Sequence, residues 1–268
     1  MNKYLKNKKF IVGLVISSFF VLLAIIGLFF TPYDPNQMDS ARKFAGISIK
    51  HIMGCDNFGR DMFSRLMNGV SKTMLIALGT NVIGIGVGTI VGSLTGYYGG
   101  IVDSILMRFN DAVLAFPSIL LALVFISCFG PGQYNIMLAL GFVFIPSYAR
   151  IVRGQYIVFR NMDYVKSAKL MGANDFRIMF VHIFPNVVPV LITTAVIGFN
   201  NAVLAEAGLS FLGIGVQPPN ASLGSMLSDA QAYIFNHPGY AMTVGSFIVV
   251  LIIGFALLSD GIKEVLDK

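Results

Sequence analysis

Residues able to do chemistry are few and scattered in this chain. The three histidines, His51, His182 and His237, fall in segments read as loops, far from one another. Cys55 and Cys128 are too few and too distant for a zinc site or a redox pair, so no metal site is expected. An active site inside a bilayer would need convergent His, Asp or Ser groups, and none is visible. The glycines of Gly84-Ile85-Gly86-Val87-Gly88 have no preceding strand, no lysine and no following amphipathic helix, which argues against a nucleotide fingerprint. The sequence also lacks G-x-x-x-x-G-K-[ST], so this chain has no Walker loop for ATP phosphates. What remains are polar groups inside apolar runs. Asp103, Arg108 and Asp111 enter one run and Glu206 ends another, and ionisable residues at membrane depth are costly and suggestive. Asp111 lies three residues beyond Arg108, a spacing that lets the two pair along one helix face. Asn200 and Asn201 are candidates to face a translocation path, with hydrogen bonding between helices as the other reading. Glu206 and Asp111 are weaker candidates for the same path.

The elements that must position these groups are membrane helices. The chain has 268 residues, 56% hydrophobic and 12% charged, against about 25% charged in an average soluble domain. Disorder, nucleic-acid binding and a disulfide scaffold fit poorly. A net charge of +6 in so apolar a chain sets membrane orientation rather than contacting nucleic acid. Residues 10–30 form 21 uncharged positions after Lys3, Lys6, Lys8 and Lys9. That run is longer than the h-region of a cleaved signal peptide, about 7–15 residues, so it reads as a retained span. Further spans are expected at 74–95, 136–151, 187–205 and 241–259, and a less clean one at 101–129, whose uncharged part is 112–129. Six spans place both termini on one side. With the N-terminus inside, 13 of the 19 Lys and Arg fall in cytosolic segments, and residues 208–240 carry none, so both termini are expected in the cytosol.

Gly84, Gly88, Gly92 and Gly96 recur every four residues and line one face of the second span, a pattern for close helix packing. Pro117, Pro146 and Pro189 lie in or at the start of spans and bend them, either as static shape or as part of alternating access.

The long loop 154–186 is too polar to span yet is patterned. Tyr164, Ala168 and Met171 follow helical spacing, and Lys166 and Lys169 occupy other faces. Gly172 suits a C-terminal cap. Asn174 can cap a second short helix through Phe176, Met179 and Phe180, which Pro185 is expected to stop. Such a helix-turn-helix is either a docking surface or a loop resting on the bilayer.

The run Asp163-Tyr164-Val165-Lys166-Ser167-Ala168-Lys169-Leu170-Met171-Gly172, followed by His182-Ile183-Phe184-Pro185-Asn186, resembles the EAA loop of ABC-importer permeases. Ala168, Gly172 and Pro185 keep the spacing of that motif, while Lys166 and Ser167 replace its usual Glu and Ala. The segment from Met53 to Arg65, with Gly54-Cys55-Asp56 and Gly59-Arg60-Asp61, is similar to a segment of dipeptide, oligopeptide and nickel permeases, with Cys55 where Thr is usual. Leu209-Ser210-Phe211-Leu212-Gly213 and Pro218-Pro219 resemble their segment after the fifth span, with Leu223-Gly224 in place of Trp-Gly.

The resemblance implies an all-α integral membrane protein with the type I ABC-importer permease fold and a cytoplasmic coupling helix. It places an N-terminal helix and extracytoplasmic segment in 1–73 and a five-helix permease core in 74–268. It further implies the second, C-type permease of a heterodimer, in a bacterial or archaeal cell membrane. The other partners would be two separate ATPases, an extracytoplasmic substrate-binding protein and lipid. ATP and Mg would bind on partner subunits, and this chain would hold no cofactor. The coupling residues would be Tyr164, Lys166, Ser167, Ala168, Met171, Gly172, Ala173, His182 and Pro185. Peptides and nickel or metal chelates are the expected substrates, and the short tail before the first span leans toward dipeptide or nickel systems. The rival from another class, an ion-gradient-driven transporter, would show an intramembrane acidic pair or inverted repeats of broken helices, and neither is visible.

Overall fold

A computed structural model describes residues 7–266, so Lys3, Lys6 and Lys268, counted above toward the cytosolic charge, lie outside the described residues. The described residues are helical, with one isolated bridge among them, between Cys55 and Asp61. The helices are α1 (Lys8–Phe29), α2 (Met62–Tyr98), α3 (Gly100–Leu114), α4 (Ser118–Phe129), α5 (Gln133–Phe159), α6 (Asp163–Leu170), α7 (Asp175–Arg177), α8 (Phe184–Phe211), α9 (Leu223–Gln231) and α10 (Pro238–Leu266). Among the described residues, α1, α2, α5, the continuous run Asp175–Phe211 and α10 are long and apolar enough to cross a bilayer.

The expected span at 101–129 is broken. Its halves, α3 and α4, meet at 90°. Pro117 N-caps α4; it lacks an N–H and disfavours helical geometry in the residue before it. The 12 residues of α4 cover only about 18 Å at 1.5 Å per residue. The charges of α3 do more than mark one end of a span. Asp103 and Asp111 pair with Arg153 and Arg150 of α5, while Ile101, Ile105 and Phe109 stay exposed. The expected Arg108–Asp111 pair does not form, because Arg150 sits 2.7 Å from the Asp111 carboxylate.

The four-residue glycine stripe of α2 lies against α5. A methyl on Gly88 would meet the backbone oxygen of Ile145 at 2.9 Å, and one on Gly92 the oxygen of Ala149 at 2.5 Å. Gly86, on another face, has nothing within 4 Å. Hydrogen bonds reinforce this packing. The hydroxyl of Tyr148 donates to the Oδ1 of Asn81, whose Nδ2 donates to the carbonyl of Ala195 at 2.7 Å, tying α5 and α8 to α2. At one end of the bundle, Asn7 and Lys9 both reach Glu264, at 2.8 and 2.5 Å, which joins the start of α1 to the end of α10.

The opposite end carries a compact cap. Asp56, fully buried, accepts from the backbone N–H groups of Phe58 and Arg60 and from the Arg60 guanidinium at 2.6 Å. Arg60 and Arg65 also face Asp229 of α9 at 3.6 and 4.0 Å. Asp61 caps α2 through the Ser64 N–H and holds His51 at 2.8 Å. The Gly-Arg-Asp segment singled out in the sequence therefore folds the cap and starts α2.

Candidate functional site

The elbow between α5 and α8 forms at the Asn7–Glu264 end of the chain's topology, and it begins later than the sequence suggested. Residues 154–159 belong to α5, so the non-spanning segment opens only after Phe159. Arg160 then donates to the carbonyls of Gly96 and Tyr97 at 2.8 and 3.2 Å. Those oxygens are in the last turn of α2, where carbonyls lack helical partners and a cation is favoured.

Helix α6 is pinned by one face. Val165 and Ala168 are each 4% exposed, and Val165 joins a core with Val152, Tyr156, Ile178 and Met179. The stripe expected at Tyr164, Ala168 and Met171 is consequently split: Ala168 points inward, whereas Met171 is 81% exposed and Leu170 89%. Lys166 pairs with Asp163 at the surface. Ser167 accepts the N–H of Met171 through its carbonyl. The helix ends at Gly172 with φ +85°. The N–H of Gly172 reaches the oxygen of Lys169 and that of Ala173 reaches Ala168, the paired bonds of a Schellman cap.

Asn174 caps the next segment, accepting from the Arg177 N–H at 2.8 Å. Pro185 does not stop it. The chain passes through a π-helical turn, Ile178–Ile183, and continues as α8, with Pro185 in its first turn. The proline is accommodated because the π turn shifts the hydrogen-bond register just before it, the Phe184 N–H reaching back to the Met179 carbonyl. His182, read as a loop residue, sits within the π turn, and its carbonyl accepts from Asn186, which also donates to Tyr164. Two hydroxyls complete the joint: Tyr156 to the Met179 carbonyl at 3.0 Å, and Tyr97 to the Asp175 carboxylate at 2.6 Å. The elbow is thus fastened to α2, α5 and α8 and presents Leu170, Met171 and Phe176 bare to its surroundings. Sequence reasoning placed Phe176 on the second short helix but did not single out Leu170 or the fasteners Arg160 and Tyr97. The valine at 165, three residues before Ala168, was the available sign of the buried face.

The second feature is a cavity of about 640 Å³ between the α3–α4 break, α5 and α8. Its wall is apolar, with Ser118, Ser147, Tyr148, Thr194 and Asn201 as its polar side chains and no charged one. Asn201 lines it, and Asn200 does not. Glu206 is fully buried away from this wall, accepting from the Ser210 hydroxyl at 2.6 Å. Asp111 is exposed beside Arg150. Of the four residues offered for a path, the structure brings only Asn201 to the cavity.

A helical bundle with a neutral cavity and a braced elbow is an architecture that suits the membrane subunit of a transporter. Residues 88–268 match the family of binding-protein-dependent transport system inner membrane components, and residues 1–46 match the N-terminal transmembrane domain of oligopeptide transport permease C. Relatives include a dipeptide transport system permease protein of Alkalihalophilus pseudofirmus, 36% identical over 98% of this chain and 86% of the relative. A glutathione transport system permease protein of Pectobacterium atrosepticum is 37% identical over 94% and 86%. A structure of the MetNI methionine ABC transporter in an inward-facing conformation superposes with a TM-score of 0.61 at 20% identity, covering 76% of this chain and 97% of that one. The chain belongs to the binding-protein-dependent inner-membrane permease family and has the ABC-importer permease fold. A permease of this kind works with an ATPase and a substrate-binding protein.

Proposed function

We propose that this chain is one of two homologous permeases that together enclose a peptide path, with both termini in the cytosol. The elbow carries the proposal. Leu170, Met171 and Phe176 are bare although the segment that bears them is fixed on its other face. A few apolar anchors of this kind supply most of the energy of a docking contact, and a separate ATPase is the occupant. Tyr164, Lys166, Ser167, Ala168, Gly172, Ala173, His182 and Pro185 build or flank that contact. Closure of the ATPases around ATP and Mg, both held outside this chain, pushes the elbow. The Arg160 and Tyr97 fasteners pass the push to α2 as a rigid-body tilt.

The cavity supplies half of the path, and a second permease supplies the other half. A wall without fixed charge binds a zwitterionic solute weakly enough to release it, a requirement of any conduit. Peptide substrates are supported by the names of the relatives; nickel or metal chelates are the other substrate class. The test is uptake into vesicles holding the full transporter, with di- and tripeptides or a nickel chelate as solute. Uptake needs ATP and persists when the proton gradient is collapsed, and Met171→Asp abolishes ATPase co-purification while the permease stays in the membrane. ATPase retention by Met171→Asp rejects the docking surface, and uptake driven by the gradient alone rejects the whole proposal.

A further inference from the structure

The loop between α1 and α2 has an unusual surface. Residues 40–55 contain no Asp or Glu but hold Arg42, Lys43 and Lys50. Arg42 is paired with Asp39 at 3.0 Å, whereas Lys43 and Lys50 are exposed and form no ion pair among the described residues. Between and beside them, Ile47, Ile49 and Ile52 are 82%, 102% and 60% exposed.

Contacts at both edges fix the depth of this loop. The 22 residues of α1 span about 33 Å at 1.5 Å each, enough to cross a hydrocarbon layer of about 30 Å, so Phe29 marks its edge. Tyr33, four residues on, donates its N–H to Ser64 and places its ring 4.9 Å from that of His51. On the other side, Phe44 stacks on His237 at 3.7 Å, just before α10. Ile47 shares a cavity of about 210 Å³ with Thr243, which lies inside the spanning helix α10. Ile47 therefore stands at the level where α1 and α10 leave the bilayer, and Ile49 and Ile52 follow it within five residues of the same loop.

We infer that this loop is an interfacial anchor: Ile47, Ile49 and Ile52 enter the leaflet at the C-terminal end of α1, and Lys43 and Lys50 meet lipid phosphates. Apolar tips combined with two unpaired cations, in a stretch (40–55) that itself carries no carboxylate, match an anionic membrane surface. Protein interfaces are depleted in lysine and enriched in aromatic residues, which favours lipid over a protein partner. The anchor holds the cap at a constant height while the spans tilt. It requires only that the bundle crosses the bilayer, whichever end faces the cytosol.

The test uses the full chain in nanodiscs of phosphatidylethanolamine and phosphatidylglycerol. A nitroxide is placed at Ile49→Cys in a Cys128→Ser background, with Ile25→Cys as lipid reference and Lys166→Cys as aqueous reference. Collisions with dissolved oxygen at position 49 exceed those with a water-soluble nickel chelate, as at position 25. In phosphatidylcholine alone the docked-to-free ratio falls by about five-fold per lysine, from about 1 kcal/mol for each cation near an anionic surface. A nickel-dominated signal like that of position 166 overturns the inference. So does protection that arises only when a second permease or a binding protein is added. Ile47→Cys, labelled in the same way, gives a second reading should the first variant fold poorly.

Discussion

Arg153 of α5 grips Asp103 of α3 through two parallel bonds, Nε to Oδ1 at 2.5 Å and Nη2 to Oδ2 at 2.6 Å. With Arg150 and Asp111 it fastens an amphipathic helix across the foot of α5, beside the break that opens the cavity.

Replacing Asp103 by Asn removes a bidentate charged contact. Such bonds contribute about 1.5–3 kcal/mol. Both side chains are partly exposed, and solvent screening lowers this to about 1 kcal/mol. Asp103→Asn is expected to lower the thermal midpoint of the purified transporter, and the swap Asp103→Arg with Arg153→Asp to restore part of it. A swap no better than the single variant would show that the pair does not join the helices.

The two faces of α6 separate stability from coupling. Val165→Ala empties part of a core and costs about 1–3 kcal/mol, read as reduced yield and earlier unfolding. Leu170→Asp changes a side chain that touches little in this chain, so yield holds while ATPase binding and uptake fall. Equal losses of yield in both variants would contradict the assigned faces.

Gly172 has φ +85° and open space around it. Alanine fits sterically but carries the left-handed backbone cost of about 1–2 kcal/mol, and asparagine tolerates that conformation better. Uptake is expected to rank Gly, then Asn, then Ala at this position. Wild-type behaviour of Gly172→Ala in both stability and uptake would rule out a structural need for this cap.

Gly92→Ala places a carbon against the Ala149 oxygen and forces α2 from α5, whereas Gly86→Ala meets nothing within 4 Å. Membrane yield is expected to collapse for the first and to stay normal for the second. Similar yields would mean that this helix contact is looser than the structure shows.

Cys55 and Cys128 are both free thiols, the first buried and the second exposed. Burial, followed by the nearby Asp61 carboxylate, pushes the Cys55 thiol above its ordinary range. It therefore stays protonated, and unreactive, at a pH where a free thiol has begun to ionise. N-ethylmaleimide should add one label near neutral pH to the folded protein and two after denaturation. Mass spectrometry that finds two labels on the folded protein, or a disulfide, would refute this.

Much of the architecture was legible because bilayer spans need long apolar runs. The runs containing Leu22, Ile90, Val143, Val196 and Ile252 each fall, to within one residue, in a helix long and apolar enough to cross a bilayer. Spacing alone also pointed to the glycine face of α2 and the caps at Gly172 and Asn174. The break at Pro117 was harder to see, since hydropathy averages across a corner. The continuation through Pro185 depends on a π turn that leaves no periodic trace. In the elbow, Tyr164, Ala168 and Met171 share a spacing but not an environment, because the partner surface of Ile178 and Met179 chooses which face is buried.

Composition and order of residues determined that this protein is a membrane bundle, roughly where it crosses, and that its elbow is helical, because those properties follow from local periodicity and from the cost of placing charge in hydrocarbon. Only the tertiary structure decided that Arg153 meets Asp103, that Asn201 rather than Glu206 reaches the cavity, and which apolar side chains stay bare. These are relations between segments far apart in the chain, and the rotation and height of one helix against another settle them.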